Sequence, residues 1–400
     1  MILAALAILF LLVSLYNLRL SYGIILFLLP VYLLRFKILN IPTTALEVML
    51  GVFLFSVLIR HFNKQSWLKI RDLGKINWAI IGFAFAAGIS ALFSVEIARA
   101  LGQMKAFFIE PILFFYAGIL VFNSKKQFEL PLKFLFGSAS IISLFGLIQY
   151  WTHLFLPLRF WGYGLETKRI TSVFEYPNAL ALYIAPVFIF FIACLIKRYY
   201  FINRYWFALG LFLMSVASVL TYSRGAWLAI IAGITVIFLH ESGFAFKKKF
   251  IIPVLLVVLI SPLLVSRFKS TFHDGSSSER LELYKTAVDK IIEQPLLGNG
   301  LYGFRETLEN SKDYKGEILN YPHNVVLNFW VETGLLGLLS FAAIIYFSLR
   351  RYKAEPHILS FAAAMFLLAM IVHGMVDAPY FKNDLSVLFW SMISIFYIRD

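Results

Sequence analysis

Residues 321–337 read YPHNVVLNFWVETGLLG, and they stand where a long polar segment meets an apolar run of membrane-spanning length. Pro322 suits a helix start, so the stretch predicts a helix that begins at His323 and enters the membrane. At this water-facing helix end the macrodipole favours a neutral imidazole, which can accept a proton. On spacing alone, a residue that only caps the helix at the membrane interface is an equally good interpretation of His323.

The composition indicates a membrane protein. Of the 400 residues, 60% are hydrophobic and 14% are charged, and the mean hydropathy is +0.80, whereas soluble proteins average about 25% charged residues. The net charge of +14 lies mostly in short loops between apolar runs, as the positive-inside rule describes, so we expect no nucleic-acid partner. The single cysteine, Cys194, excludes an intrachain disulfide and a thiolate metal cluster.

The apolar runs predict an all-α polytopic fold with twelve or thirteen transmembrane helices in a single membrane domain, residues 1–400, because a span needs about 20 apolar residues. Two shorter runs within 2–34, broken at residues 17–19, predict either a tight hairpin or one broken helix, retained rather than cleaved as a signal peptide. The other expected helices are 44–60, 77–94, 104–122, 131–152, 178–196, 205–222, 225–240, 250–265, 323–348, 357–375 and 384–397.

Lys and Arg are concentrated in every second connection, which predicts that these connections, 61–76 and 241–249 among them, are cytoplasmic. Residues 266–322 are the only long polar connection, and they fall on the outward side. A helix is predicted from about Ser276, with Arg280 in its first turn and Gln294 at its end, followed by a glycine-rich turn. We expect this segment to fold as an extracytoplasmic lid loop. The other outward connections are 95–103, 153–177, 223–224 and 373–383.

The arrangement of His323-Asn324, nine residues, Gly334, two residues and Gly337 resembles the signature of the O-antigen ligase and O-antigen polymerase superfamily. These are polytopic bacterial inner-membrane glycosyltransferases of the C-type fold. The resemblance favours about twelve spans and a site that faces outward. It implies a glycan donor linked to undecaprenyl diphosphate, and an acceptor such as lipid A core or another lipid-linked glycan. It also implies inverting, metal-independent transfer without a cofactor.

Two arginines are candidates for binding the diphosphate. Arg224 lies between two spans in a Ser-Arg-Gly sequence that resembles the outward-facing arginine of the superfamily, although by itself it is better read as a snorkelling residue. Arg280 precedes a Pro-x-x-Gly-x-Gly turn, residues 295–300, which resembles the loop arginine of the superfamily, although a solvated surface arginine is the commoner case. Arginine is the side chain best suited to bidentate contact with phosphate.

Further candidates follow from the same resemblance. Arg169 and Asn178 match a pattern in which an arginine and a Pro-Asn pair line the outer cavity, and Lys168 stands beside them. Asn324 is expected to orient the acceptor or the imidazole. We expect His323 to be the catalytic base, with Arg224 and Arg280 stabilising the leaving diphosphate.

Other acidic and histidine residues carry weaker indications. Glu332 is expected to be a structural hydrogen-bond partner, and His373 with Asp377 form an unspecific pair in an outward loop. No Asp-x-Asp pair stands at an outward loop and no zinc spacing or P-loop is present, so neither a metal nor a cofactor is expected. The alternatives are a protein O-glycosylation ligase with the same donor, and a transporter or flippase for lipid-linked sugars, although the paired half-helices of many transporters are not evident.

Overall fold

Helices make up most of the chain, and the computed structural model describes residues 2–162, 168–241, 275–311, 314 and 316–399. Two short 3-10 helices cover Leu29–Leu33 and Leu158–Phe160. The α-helices within the described ranges are α1 (Ile2–Tyr16), α2 (Leu18–Phe27), α3 (Ala45–His61), α4 (Lys64–Arg71), α5 (Lys75–Leu92), α6 (Ile97–Gln103), α7 (Glu110–Val121), α8 (Glu129–Thr152), α9 (Pro177–Ile196), α10 (Arg204–Leu220), α11 (Arg224–Glu241), α12 (Gly275–Glu293), α13 (Gly303–Asn310), α14 (Val325–Ala354), α15 (Ile358–Gly374) and α16 (Asn383–Tyr397).

The described helices fit a polytopic membrane protein. Five segments are long and apolar enough to cross a membrane, namely α5, α8, α9, α14 and the continuous segment Ile97–Val121. Helices α3 and α4 together would form a sixth span, although the chain bends by 112° between them. Apolar helices α1, α2, α10, α11 and α15 are shorter. The count of about twelve spans therefore stays a prediction, and the expected span 250–265 lies outside the described residues.

A two-stranded antiparallel hairpin is an addition to the predicted all-α fold. Strand β1 (Arg35–Ile38) pairs with β2 (Ile41–Thr44) just before α3. The connecting residues Leu39 and Asn40 have φ values of 49° and 66°, as a two-residue type I′ turn requires. The apolar pattern that indicated helix up to residue 34 contained no signal for this turn.

Asn17 separates α1 from α2, so the predicted break at residues 17–19 is confirmed. Its side-chain oxygen accepts hydrogen bonds from the backbone N–H groups of Arg19 and Leu20, both at 3.1 Å. A polar cap of this kind begins a new helix. The polar residue that interrupts the apolar sequence is therefore the residue that interrupts the helix.

The predicted connection 95–103 is largely helical, because Ile97–Gln103 form α6, and its outward orientation stays a prediction. A π-helical turn, Met104–Ile109, carries the chain from α6 into α7 without a break. Pro111 lies at the start of α7, and a π turn accommodates the backbone hydrogen bond that proline cannot make. Within this segment Arg99 is exposed, whereas Gln103 is partly buried.

The two ends of α16 mark the two ends of the helix bundle. Its first residue, Asn383, donates to Thr44 Oγ1 at 3.3 Å and to Glu47 Oε1 at 3.2 Å. Beyond its last residue, the Arg399 carbonyl accepts a hydrogen bond from Lys125 N–H at 2.8 Å. The 15 residues of α16 are separated by 14 rises of about 1.5 Å, so its first and last residues lie about 21 Å apart. The end at Asn383, which also holds the start of α14 and the end of α15, is called the site end below.

Helix α14 is the central element of the membrane part. It packs most extensively against α5, while α15 packs against α9 and α11. Phe329 of α14 stacks on Phe341 of the same helix with ring centroids 4.1 Å apart, and it lies 5.7 Å from Phe83 of α5. This buried aromatic packing fixes the helix whose first residues follow His323.

Candidate functional site

His323 and Asp377 form a hydrogen-bonded pair at the site end. His323 Nδ1 lies 2.8 Å from Asp377 Oδ1, and the two side chains are 24% and 5% exposed. Burial alone would raise the pKa of Asp377, but the hydrogen bond with His323 and the neighbouring imidazoles lower it to about 2. The ionised carboxylate can only accept a hydrogen bond, so Nδ1 carries the proton and Nε2 is left as a proton acceptor.

The backbone around His323 fixes the direction of its side chain. The φ of His323 is +52°, a left-handed conformation that costs an L-residue roughly 1–2 kcal/mol. Asn324 then caps α14, since its side-chain oxygen accepts the N–H groups of Val326 at 3.0 Å and Leu327 at 3.2 Å. The helix begins at Val325, two residues later than predicted. His323 therefore lies just outside the helix, with the imidazole turned towards the loop that carries Asp377.

Two side chains join the backbone at His323 to the loop after α15. Asn324 Nδ2 donates to the Met375 carbonyl at 3.0 Å. The hydroxyl of Tyr284, which belongs to α12, lies 3.2 Å from the His323 carbonyl and 3.3 Å from the Met375 carbonyl. Asn324 thus caps a helix and braces a loop, and both contacts help to hold the imidazole against Asp377.

The start of α11 lies against the same loop. A Cβ added at Gly225 would lie 2.6 Å from His373 Cδ2 and 2.8 Å from Val376 Cγ2, so glycine permits a contact that a larger residue would prevent. Arg224, which is partly buried, precedes this glycine directly. The structure therefore places Arg224 at the site end, one residue from a contact with the segment that leads to Asp377.

Helix α12 brings Arg280 to this region. The charge of Arg280 acts on Tyr284 and on His373. Burial raises the pKa of the Tyr284 hydroxyl, and the charge of Arg280 partly offsets that effect. Helix α12 begins at Gly275, so Arg280 lies in its second turn. The sequence had predicted the first turn. The side chain of Ser276, on which the predicted cap depends, lies outside the described part of the chain.

The sequence interpretation of His373 and Asp377 as an unspecific pair missed the partner of His323. Asp377 follows directly after a span, and an acidic residue buried at the end of an apolar run is the one signal that the sequence offered. His373 is fully buried, and neither of its ring nitrogens has a hydrogen-bond partner within the described ranges. Its contacts with Gly225 and the influence of Arg280 show that both predicted arginine segments approach one loop.

A further cation, which the sequence did not indicate, stands in the loop after Asp377. Lys382 Nζ lies 4.7 Å from the ring centroid of Tyr176 and 5.7 Å from that of Tyr32. The charge of Asp377 also acts on Tyr176. Lys382 and Asp377 thus both act on Tyr176.

Arg169 and Asn178 contact each other. Arg169 Nη2 donates to Asn178 Oδ1 at 2.8 Å, and Arg169 Nε donates to the Thr221 carbonyl at 2.9 Å. These bonds join the start of α9 to the turn that precedes Arg224. Lys168 Nζ contacts the Tyr150 carbonyl at 2.5 Å and lies 4.6 Å from the Tyr150 ring centroid. Arg169 and Asn178 thus support the turn before Arg224, and Lys168 binds the end of α8.

Gly334 of the signature breaks α14 and receives the lid. Gly334 has φ +67°, a break inside the helix, and a Cβ there would collide with the Leu296 backbone. Gly298 has φ +71°, and a Cβ there would lie 2.7 Å from Val331 O and from Gly334 N. The Pro-x-x-Gly-x-Gly turn therefore docks backbone to backbone at the break in α14.

Main-chain hydrogen bonds complete this docking. The Pro295 carbonyl accepts from Leu335 N–H at 3.1 Å and from Trp330 Nε1 at 2.9 Å. Asn299 N–H donates to the Val331 carbonyl at 2.6 Å. The turn thus supplies partners for backbone groups that the helix break leaves open.

Glu332 binds the backbone just after the turn at residues 295–300. Its carboxylate accepts the backbone N–H groups of Tyr302 at 2.6 Å and Phe304 at 3.4 Å. Ser94 Oγ donates to the Leu301 carbonyl at 2.8 Å. Glu332 is therefore a structural hydrogen-bond partner, as expected, and it anchors the start of α13 to the membrane part.

The chain is similar to proteins described as ligases of glycans. The family model described as O-antigen ligase matches residues 209–342, a range that includes Arg224, Arg280, His323 and Asn324. A candidate polysaccharide ligase of Rickettsia prowazekii is 25% identical over 324 residues, which cover 75% of this chain and 77% of that protein. A candidate polysaccharide ligase of Rickettsia conorii is 26% identical over 300 residues, 71% of this chain and 68% of that protein.

The name of a third relative specifies an acceptor. The ComP-specific O-oligosaccharyltransferase of Acinetobacter baylyi is 25% identical over 237 residues, which cover 53% of this chain and 41% of that protein. Its match is thus confined to part of either chain. The family model and these relatives support glycan ligation as the general activity of a multi-pass membrane enzyme, and they confirm that the chain resembles the O-antigen ligase superfamily.

Proposed function

We propose that this protein transfers a glycan from an undecaprenyl-diphosphate-linked donor to an acceptor glycan at the outer face of the bacterial inner membrane. The observation that carries the proposal is the His323–Asp377 pair at 2.8 Å, which leaves Nε2 as a base beside the start of α11 and Arg280. Such a pair suits the removal of a proton from an acceptor hydroxyl. The similarity to polysaccharide ligases supports a sugar hydroxyl as the acceptor group.

The proposed reaction balances without a metal. The acceptor hydroxyl gives its proton to His323 Nε2 while its oxygen attacks the anomeric carbon of the donor sugar. The bond between that carbon and the diphosphate oxygen breaks, and its electron pair stays on the undecaprenyl diphosphate. Attack on the face opposite the leaving group inverts the anomeric centre. Asp377 stabilises the imidazolium that forms, as a buried carboxylate does for a histidine base.

Stabilisation of the leaving group is the proposed role of Arg224 and Arg280. Negative charge grows on the diphosphate as the sugar bond breaks, and cations placed before the reaction lower that barrier most. Lys382 adds charge in the same region. We assign Arg169 and Asn178 to positioning the turn before Arg224, because they bind each other and the Thr221 carbonyl. Lys168 holds the neighbouring segment to Tyr150. Direct contact of Arg169, Asn178 and Lys168 with the glycan is a further part of the proposal.

A protein acceptor is the second candidate. The similarity to the O-oligosaccharyltransferase of Acinetobacter baylyi favours it, and the same base and arginines would serve a serine or threonine hydroxyl. Polymerisation onto a second lipid-linked repeat requires no other chemistry. A transporter or flippase would move the donor without breaking its sugar–phosphate bond.

The experiment is transfer by the purified protein in nanodiscs from a synthetic undecaprenyl-diphosphate oligosaccharide. Lipid A core, a second lipid-linked oligosaccharide and a pilin-like protein serve as separate acceptors, with and without EDTA. We expect a new glycosidic product and one released undecaprenyl diphosphate for each transfer, at an unchanged rate in EDTA. In sealed proteoliposomes, translocation of intact donor without its cleavage, with every acceptor, would favour the transporter and contradict the proposal.

A further inference from the structure

A cavity lies at the end of the bundle opposite His323. It has a volume of about 830 Å³ and lies among the start of α2, the bend between α3 and α4, the end of α7 and the segment after α16. Since α16 spans about 21 Å between this end and Asn383, the cavity is separate from the proposed glycan-transfer site. Nothing in the proposed reaction uses it.

Cations dominate the lining of this cavity. Arg19, Arg60, Lys69 and Arg399 face it, and Asp72 is the single acidic residue among its lining residues. The carboxylate of Asp72 lies 3.7 Å from the guanidinium of Arg71, so its charge is already partly balanced.

The basic side chains are held in place by neighbouring backbone groups. Arg60 donates to the Leu15 carbonyl. Lys69 Nζ donates to the Phe122 carbonyl at 3.2 Å and to Asn123 Oδ1 at 3.3 Å. The acceptors in these contacts are neutral, so the contacts hold Arg60 and Lys69 in place without removing their positive charge.

Helix geometry reinforces this preference. Helix α2 begins at the cavity after its cap Asn17, and α4 begins there after its cap Asn63. The positive end of each helix dipole therefore adds to the field of the arginines and the lysine. A phosphate group is the anion that this combination of guanidinium groups, an ammonium group and helix N-termini suits best.

The surroundings of the cavity indicate that the phosphate belongs to a lipid. Large apolar side chains beside the basic residues are exposed: Tyr16 by 84%, Phe62 by 75% and Trp67 by 65%. Trp67 lies on α4, a short basic helix set at 112° to α3, which is the orientation of a helix lying in a membrane interface. Aromatic side chains at this depth contact the boundary between headgroups and acyl chains.

We propose that this cavity binds the phosphate-containing headgroup of an anionic glycerophospholipid, with the acyl chains against Tyr16, Phe62 and Trp67. Basic pockets between transmembrane helices are suited to such headgroups. The chemistry recognised is an anionic phosphate group, and a soluble phosphate ester would share it, so the test must separate the two sources. Bound lipid would brace α2, α4 and the segment after α16 against one another.

The test measures thermal unfolding of the full-length protein in neutral detergent. Short-chain phosphatidylglycerol, short-chain phosphatidylcholine and glycerol 1-phosphate are added separately. We expect a concentration-dependent rise in Tm with phosphatidylglycerol alone. An equal rise with glycerol 1-phosphate would assign the cavity to a soluble phosphate ester, and no difference between phosphatidylglycerol and phosphatidylcholine would overturn the proposal.

Variants of the arginines that line the cavity test whether phosphatidylglycerol binds there. Each cation near an anionic headgroup contributes about fivefold in affinity, so Arg19→Gln/Arg60→Gln should weaken phosphatidylglycerol binding about 25-fold. The control is Arg350→Gln, at an exposed arginine on the last turns of α14 that does not line the cavity; its binding should match the wild type. If the double variant is misfolded by size-exclusion chromatography, Arg399→Gln alone, with an expected fivefold loss, takes its place. Unchanged binding in a folded variant would overturn the proposal.

Discussion

His323 Nδ1 lies 2.8 Å from Asp377 Oδ1, across 54 residues of sequence and a pair of membrane helices. The contact joins the segment before α14 to the loop after α15, so both helices must be in place before the base is oriented. A residue that only capped a helix would have no need of this partner. The pair therefore favours catalysis over capping as the role of His323.

Replacement of His323 tests the base directly. His323→Ala should lower the transfer rate per folded molecule by about 10²–10⁴-fold, with donor binding nearly unchanged, because the arginines remain. The measurement pairs single-turnover transfer with binding of the lipid-linked donor in nanodiscs. A well-folded variant that binds donor and transfers sugar at the wild-type rate would remove His323 from the mechanism.

Asp377→Asn tests the positioning of the imidazole. An amide can donate to Nδ1, which would move the imidazole proton to Nε2 and leave no base, so turnover should fall by about 10²–10⁴-fold. The control is Glu317→Gln, at an exposed site in the lid. Equal transfer by Asp377→Asn and the control would contradict the assigned tautomer.

The difference in stability between the wild type and Asp377→Asn follows the titration of Asp377. The pKa of Asp377 is lowered from 3.8 to about 2, so the ionised form stabilises the fold fully above its unfolded-state pKa. That contribution is lost as the pH falls through about 2. The Tm difference between wild type and Asp377→Asn should thus be constant from about pH 5 to pH 8.

Arg280→Lys and Arg224→Lys test the diphosphate contacts. A lysine keeps the charge but loses the planar pair of donors, and loss of one such group typically costs about 10²–10³-fold in rate. Arg99→Lys, at an exposed arginine paired with Glu96, serves as the control. Near-normal transfer by folded Arg280→Lys would show that Arg280 is a surface residue.

Gly334→Ala tests the docking of the lid. Alanine at φ +67° next to the Leu296 backbone should destabilise the protein by at least about 1–2 kcal/mol. Thermal unfolding should show this as a lower Tm, and proteolysis within the lid should be faster. Gly88→Ala is matched to it, because nothing lies within 4 Å of the added Cβ. A Tm equal to that of Gly88→Ala would mean that the docking adds little stability.

Cysteine labelling tests the orientation. In a Cys194→Ala background, a membrane-impermeant maleimide added to intact spheroplasts should label Asn310→Cys in the lid and spare Gln65→Cys at the opposite end. Both positions are exposed, so access depends on the side of the membrane. The reverse labelling would place the proposed site in the cytoplasm.

Much of the helical architecture follows from sequence because membrane helices are marked by long apolar runs, and α5, α8, α9 and α14 lie within a few residues of their predicted bounds. The hairpin at Leu39 and the helix at Ile97–Gln103 were missed, since short turns and polar helical faces carry weak local signals. The motifs indicated His323 and the two arginines. Asp377 was missed because its role arises from a contact across the fold, which a single sequence does not display.

The lid docks on α14 mainly through backbone atoms of residues 295–299 and 331–335. Main-chain contacts depend on glycine at a few positions and are indifferent to most side chains nearby. Other side chains of the lid can therefore change without loss of this main-chain docking on α14. A chain that kept glycine at positions 298 and 334 could carry a different lid surface while the segment that holds His323 stayed in place.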